Sequence, residues 1–297
     1  MENRGNDRKS ILMLVSSMLI FGTIGIFRRA VPVSSAFLAF SRGILGGLCI
    51  LAFIKLKKKK EQDKIPPRTR TVLAVSGALI GINWILLFEA YNHTTVAIAT
   101  LCYYMEPTIV MLLSPFVFGE KLTVKKAACA AAAMTGMILV SGVFGDSGAR
   151  NSQIKGVLTG LGAAVFYSAV VILSKKIRGV DVYRKTMIQL FSAGIVMIPY
   201  LLLTGGFSME GFSLTAVVLL LAIGLIHTGV AYVLYFGSMD GLRGQTVAIL
   251  SYADPVSAML LSAFLLREQL STLSIIGAVM IIGSAVISEI QQTEFLR

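Results

Sequence analysis

Apolar runs of about twenty residues alternate with short clusters of charged residues along the whole chain. An α-helix rises about 1.5 Å per residue, so a run of this length crosses the roughly 30 Å hydrocarbon core of a bilayer. Divided at charge clusters, Gly and Pro, the runs predict an all-α integral membrane protein. The ten predicted helices, named spans 1 to 10 in chain order, lie near 10–28, 33–54, 70–91, 95–118, 123–143, 154–174, 185–204, 213–236, 245–266 and 271–290.

Composition narrows the class of protein further. Of the 297 residues, 56% are apolar and 14% are charged, with mean hydropathy +0.80, whereas soluble domains carry about 25% charged residues. The net charge of +12 comes from Lys and Arg that flank the spans, so we expect membrane lipids and no nucleic acid as partners. The three cysteines lie inside spans without the spacing of a disulfide framework or zinc site, so we predict no metal and no cofactor.

The distribution of Lys and Arg predicts the orientation of the chain. With the N-terminus inside, 21 of the 27 Lys and Arg residues fall in the predicted cytoplasmic segments, including the lysine run 57–60. Cytoplasmic loops of membrane proteins hold the excess of positive charge. We therefore predict a multi-pass protein of a bacterial plasma (inner) membrane, with both termini in the cytoplasm.

The second half of the chain repeats the first at an offset of 148 residues. YMEP at 104–107 corresponds to YADP at 252–255, MLLS at 111–114 recurs at 259–262, and Glu120 corresponds to Glu268. Each half, 1–148 and 149–297, holds five spans, and because five is odd the second copy enters the membrane from the opposite side. Inverted repeats characterise many secondary transporters, since two similar halves can exchange conformations around a central site.

These motifs resemble the EamA-type branch of the drug/metabolite transporter (DMT) superfamily over nearly the whole chain. The resemblance rests on Arg42 followed by small and apolar residues, on the acid–proline pairs at 106–107 and 254–255, and on GEKLT at 119–123. The chain departs from the family at Arg267, where Gly is frequent, and at 21–22, where Phe-Gly replaces Trp-Gly. The resemblance implies an exporter of amino acids, amines or related metabolites, driven by protons.

Three ionisable residues are predicted near the middle of the membrane, namely Arg42, Glu106 and Asp254. Charge is costly in hydrocarbon, so all three are candidates for substrate binding, and the two acids for proton coupling. In the alternative interpretation, Arg42 pairs with one acid and only fixes helix packing. One acid is left over in either case, and it should take up a proton or bind a cation.

Proline and aromatic positions extend the candidate site. Pro107 and Pro255 each remove a helix hydrogen bond beside an acid, and broken helices at matching depths are typical of transporter binding sites. Span 3 presents an aromatic stripe, and so do the corresponding positions of span 8. We expect the stripes to form opposite walls of one cavity, with packing or lipid contact as the alternative. The remaining predicted substrate-binding residues are Asn83, Trp84, Phe88, Tyr103, His227, Tyr232 and Ser251.

The predicted function is secondary active transport, in the direction of export, of a small polar metabolite such as an amino acid or amine. A channel, or an importer of the same solutes, is the alternative, because repeats and midplane charges do not prove alternating access. An intramembrane enzyme is not expected, since His93 and His227 lack an HExxH context and no paired-aspartate or Gly-x-Ser-Gly pattern is present. No nucleotide-binding loop is present either, so direct ATP drive is not expected.

Overall fold

The structure is a computed structural model that describes residues 2–57, 65–119, 122–140, 147–177, 179–204, 206, 213–239, 242 and 244–294. Within these residues every regular element is a helix, and helices occupy part or all of each predicted span. A π-helix, Ala222–Val230, lies in span 8 between two α-helices. The α-helices are α1 (Glu2–Gly22), α2 (Ile24–Ala30), α3 (Ser35–Leu56), α4 (Pro67–His93), α5 (Val96–Tyr103), α6 (Glu106–Phe118), α7 (Val124–Val140), α8 (Ser147–Lys176), α9 (Val182–Ile195), α10 (Met197–Leu203), α11 (Leu214–Leu221), α12 (Ala231–Met239), α13 (Gly244–Ser251), α14 (Ala253–Leu265) and α15 (Thr272–Glu294).

Seven helical segments in the described part of the chain are long and apolar enough to cross a membrane. Large apolar side chains, such as the 87% exposed Phe116 and Leu203, lie on the outside, as expected where lipid replaces water. The chain is therefore a multi-pass membrane protein. The apolar helical stretches of spans 5, 9 and 10 have 17 residues or fewer in the described residues, so ten crossings stays a prediction. The seven segments are Arg8–Ala30, Ser35–Leu56, Pro67–His93, Val96–Phe118, Asn151–Ser174, Val182–Leu203 and Leu214–Met239.

Helix interruptions occur just before the two prolines that the sequence singles out. In span 4, α5 ends at Tyr103 and α6 begins at Glu106, and in span 9, α13 ends at Ser251 and α14 begins at Ala253. Proline donates no backbone hydrogen bond and its ring clashes with the preceding turn, so the helix yields there. As a result Glu106 and Asp254 both lie in the first turn of a half-helix.

Helix packing in one half corresponds to helix packing in the other. Span 1 packs against span 8 as span 6 packs against span 3, and span 2 packs against span 8 as span 7 packs against span 3. Spans 2 and 7 pack on each other, and so do spans 4 and 9 and spans 5 and 10. If each span is replaced by its counterpart in the other half (span 1 by span 6, span 2 by span 7, and so on), each of these pairs becomes a pair that is also observed. Two copies of one five-helix unit would pack in this way.

Glycines lie where the helices approach most closely. A Cβ atom added to Gly43 on α3 would lie 2.6 Å from the backbone nitrogen of Gly194 on α9. A Cβ atom added to Gly136 on α7 would lie 2.6 Å from the carbonyl oxygen of Gly277 on α15. In lipid the hydrophobic effect does not drive two helices together. Their association depends instead on close van der Waals packing, which small residues permit because they let the backbones touch. The contacts between spans 2 and 7 and between spans 5 and 10 therefore depend on these glycines.

Candidate substrate cavity

A cavity of about 380 Å³ lies between spans 1, 2, 3, 4, 6, 8 and 9, so both halves of the chain build its walls. Its volume falls in the range of small-molecule sites, roughly 300–1,000 Å³. The walls combine one arginine and two acids with many aromatic rings, and can therefore contact a ligand that is partly charged and partly apolar. The aromatic residues are Phe21, Trp84, Tyr91, Tyr103, Tyr104, Tyr167, Tyr232, Tyr235 and Tyr252.

Arg42 is held in a fixed position at the cavity wall. The residue is only 6% exposed, its Nε donates to Thr228 Oγ1 at 2.8 Å, and its Cζ lies 4.2 Å from the centroid of the Trp84 ring. The stacked guanidinium makes a cation–π contact, which strengthens away from water. Within the described residues, no carboxylate oxygen lies within 4.0 Å of its nitrogens. In this conformation the arginine is therefore anchored by a hydroxyl and a ring, without an acid.

The π-helix Ala222–Val230 positions the hydroxyl that anchors Arg42. Thr228 Oγ1 donates to the Ile223 carbonyl at 3.1 Å, five residues back, while it accepts the Arg42 Nε–H. His227, the residue before Thr228 in the π-helix, places its Nε2 2.7 Å from Thr23 Oγ1, at the break between α1 and α2. Extra residues in a turn re-aim side chains, and single π-turns recur at functional sites. Here the wide turn aims Thr228 at span 2 and His227 at span 1.

Two carboxylates form the acidic part of the wall. The Tyr104 hydroxyl donates to Asp254 Oδ2 at 2.7 Å, a bond that joins the two helix breaks, and Glu106 lines the cavity beside it. Both acids lie in the first turn of their half-helices. The helix dipole favours negative charge at this end, which lowers the cost of keeping a carboxylate inside the membrane.

Seven of the ten predicted site residues line the cavity, and three do not. Asn83 donates from Nδ2 to the Ala163 carbonyl on α8 at 2.6 Å, and it is fully buried. Phe88 is fully buried with its ring centroid 5.8 Å from Arg42 Cζ, and His227 contacts Thr23 as described. The seven lining residues are Arg42, Trp84, Tyr103, Glu106, Tyr232, Ser251 and Asp254.

Sequence reasoning missed several residues that shape the cavity. Tyr104 and Tyr252 begin the repeated YMEP and YADP motifs, so their matching positions were a signal that could have found them. Tyr167 on α8 and Tyr235 on α12 also line the cavity. Nothing in their apolar surroundings distinguishes these tyrosines from lipid-facing ones. Thr228 had no signal either, because its role depends on the π-helix.

A polar network, named the closing network, joins three segments at one end of the bundle. Arg29 Nη2 donates to Glu268 Oε1 at 2.9 Å and to the Thr94 carbonyl at 2.8 Å. Glu268 Oε2 accepts the Val96 N–H at 2.9 Å and also the Ser262 hydroxyl. One carboxylate therefore ties the end of α2 to the α4–α5 turn and to the end of α14. The cavity extends from Tyr91 and Thr100, near this network, to Ser114 and Val171, toward the C-terminal ends of α6 and α8.

The fold and the cavity together define a multi-pass helical membrane protein with a polar, aromatic-lined internal site, which is the architecture of a membrane transporter. The profile of the EamA-like transporter family matches residues 8–142 and again residues 154–289. This chain therefore belongs to the EamA-like transporter family.

Individual relatives cover the same length. The chain is 28% identical to the uncharacterized transporter YxxF of Bacillus subtilis (strain 168), over 95% of this chain and 90% of that one. It is also 28% identical to an uncharacterized transporter of Archaeoglobus fulgidus, over 93% of this chain and 94% of that one. A protein of known crystal structure superposes with a TM-score of 0.64 at 20% identity, covering 95% of this chain and 98% of that one, so the two share a fold.

Proposed function

We propose that this chain is a proton-coupled secondary active transporter that exports small polar metabolites, such as amino acids or amines, across a bacterial plasma membrane. The cavity carries the proposal, because it is built by both halves and holds one buried arginine and two acids at helix breaks. In this proposal the substrate binds between two inverted five-helix repeats, 1–148 and 149–297, which rock around it.

The closing network supports alternating access over an open channel. With both termini in the cytoplasm, Arg29 and Glu268 lie at the outer face, and Ser114 and Val171 lie toward the cytoplasm. In this proposal the network closes the outer side, and an exporter takes up its substrate from the cytoplasm in such a conformation. A channel would need a path open to both faces at once.

Glu106 and Asp254 are the proposed coupling residues. Arg42 brings one positive charge to a cavity that two carboxylates border. Full ionisation would leave about one net negative charge in a medium of low polarity, so one acid should bind a proton or the cationic group of the substrate. The half-helix dipoles favour the ionised form of both acids, and the Tyr104 hydroxyl bond does so for Asp254, which opposes the cost of charge in the membrane and lets a bound proton be released again.

Counterflow in proteoliposomes tests the proposal. Purified protein should exchange labelled amino acids or amines, and an imposed pH gradient should accelerate uptake. We expect Asp254→Asn or Glu106→Gln to retain counterflow and lose the response to the gradient, since exchange at equal pH needs no net proton movement. Wild-type response in both variants would contradict coupling at these acids. Flux without counterflow would indicate a channel instead.

A further inference from the structure

Two buried arginines use their guanidinium nitrogens differently. Arg28, near the closing network, donates from Nη1 to the Val31 carbonyl and from Nη2 to Ser35 Oγ, each at 3.2 Å. Arg42 donates from Nε alone, to Thr228 Oγ1. Among the described residues its two terminal nitrogens have no hydrogen-bond partner, and neither is sealed from the cavity that Arg42 lines.

We propose that Arg42 is the receptor for a carboxylate group of the transported metabolite, which makes the substrate an amino-acid-like zwitterion and not a simple amine. This inference rests on the proposed transport function and narrows its substrate class. The two terminal nitrogens of a guanidinium present paired donors that match the two oxygens of a carboxylate. Among the described residues no acid lies within 4.0 Å of the guanidinium nitrogens, so a carboxylate that enters the cavity gains from pairing directly with this buried cation.

The surroundings of Arg42 hold its two terminal nitrogens, named the Arg42 fork, in place before a ligand binds. The Thr228 bond holds Nε, and Cζ lies over the Trp84 ring, 4.2 Å from its centroid. Neither contact uses a terminal nitrogen as a donor, so both remain available to a ligand in the cavity that Arg42 lines. A donor pair that is already oriented loses little freedom when the ligand binds, which favours affinity and selectivity for planar oxygen pairs.

The rest of the cavity wall complements the other parts of a zwitterion. Asp254 and Glu106 offer carboxylates for an ammonium group in the same cavity that Arg42 borders. The aromatic rings surround the space between with apolar faces, which bind apolar groups and also attract cations. A simple amine would engage the acids and rings and leave the Arg42 fork without an anion. A zwitterion satisfies both charged parts at once.

The only tryptophan of the chain provides a direct readout. Trp84 lies under the Arg42 guanidinium, so its fluorescence should change when a ligand occupies the fork. The probes are three molecules that share the 2-phenylethylamine skeleton: L-phenylalanine, L-phenylalaninamide and 2-phenylethylamine. Only L-phenylalanine carries a carboxylate. A second series, L-leucine, L-leucinamide and 3-methylbutylamine, has the same three end groups with a smaller apolar side chain. Each is titrated into purified full-length protein in detergent.

The wild-type protein should bind the carboxylate probe of at least one series about tenfold or more tightly than its amide and amine, as expected for a bidentate ion pair. Arg42→Gln should bring the three probes within about threefold of one another. Arg42→Lys should keep part of the preference, because a point charge attracts the carboxylate without the fork. Arg28→Gln is the matched control, since it also removes one buried arginine, and it should keep the full preference.

The results separate this inference from the transport proposal. Equal or tighter binding of the amine or amide, no response to either carboxylate probe, or a preference that survives Arg42→Gln overturns the carboxylate receptor, whether or not transport is found. Should Arg42→Gln fail to fold, the wild-type preference and Arg42→Lys decide. Carboxylate-selective binding without transport of any probe in proteoliposomes would uphold the receptor and contradict the transport function.

Discussion

At the scale of the residue, Arg267 has an unusual backbone conformation. It is the one non-glycine residue with positive φ, at 52°, in the described part of the chain. Gly119, 148 positions earlier in the repeat, has φ 70° at the end of α6. The left-handed region costs a residue with a Cβ about 1–2 kcal/mol, whereas glycine adopts it freely. The repeat therefore ends both half-helices in the same way, with a poorly suited residue in the second copy.

We predict that Arg267→Gly stabilises the protein. The relief of strain should exceed the entropy that glycine adds to the unfolded chain, for a net gain of about 0.5–1 kcal/mol. Thermal unfolding in detergent measures the change, with Gly119→Ala as the matched control that should lower stability by about 1 kcal/mol. If Arg267→Gly lowers the unfolding midpoint, then contacts of the arginine side chain outweigh its backbone strain.

Charged residues of the site could be predicted, and uncharged ones only in part. Arg42, Glu106 and Asp254 stand out because charged residues are costly in hydrocarbon and are therefore rare there unless they have a function. A buried amide such as Asn83 can bind a substrate or a neighbouring helix, and here its Nδ2 donates to the Ala163 carbonyl. Spans 3 and 8 are apolar on every face, so periodicity does not show which side of Phe88 or its neighbours meets the cavity.

At the scale of the element, proline explains the helix breaks and glycine explains the closest helix contacts, but neither explains the π-helix. The breaks in spans 4 and 9 follow from Pro107 and Pro255 because neither can donate a backbone hydrogen bond. The glycines mark the closest helix contacts. The π-helix Ala222–Val230 carries no comparable signal, since no residue type forces a wide turn. The sequence therefore predicts the broken helices beside the acids and misses the turn that anchors Arg42.

We predict that Gly43→Ala destabilises the contact between spans 2 and 7. The new Cβ would lie 2.6 Å from the Gly194 nitrogen, and a backbone atom inside a helix cannot move aside cheaply. We expect a loss of about 1–3 kcal/mol, as for other overpacked sites. Gly283→Ala on α15 is the matched control, because its Cβ would have no neighbour within 4 Å. Thermal unfolding of both variants checks this, and equal midpoints would show that the two helices separate easily.

At the scale of the whole molecule, the sequence repeat accounts for the symmetry of the helix pairs but not for the conformation. Two halves with one pattern make corresponding contacts, and the pairing of spans 1 with 8 and 6 with 3 follows that symmetry. A transporter of this design has two conformations of similar free energy, and small differences between the halves decide which one is populated. The closing network forms at one end of the bundle from residues far apart in sequence, so it stabilises a conformation in which that end is closed.

We predict that Glu268→Gln opens the outer side of the cavity. The substitution keeps the shape of the side chain but removes the charge that holds Arg29 and weakens the bond from the Val96 N–H. Losing roughly 1.4 kcal/mol from the closed state would raise the outward-open population about tenfold. Arg29→Gln should have a smaller effect, because its side chain is 40% exposed against 12% for Glu268, and water screens the more exposed charge.

Thiol labelling in intact cells measures this shift. In a background without Cys49, Cys102 and Cys129, a cysteine at Thr100 in the cavity should react faster with a membrane-impermeant reagent once the network is broken. Lys155→Gln is the matched control, since it removes an exposed charge outside the network and should leave the rate unchanged. An unchanged rate in the Glu268 variant would mean that the network packs the helix ends without setting the balance between conformations. A faster rate would place the closing contact of the transport cycle at Glu268, because only a shift toward the outward-open state exposes position 100 to the outside.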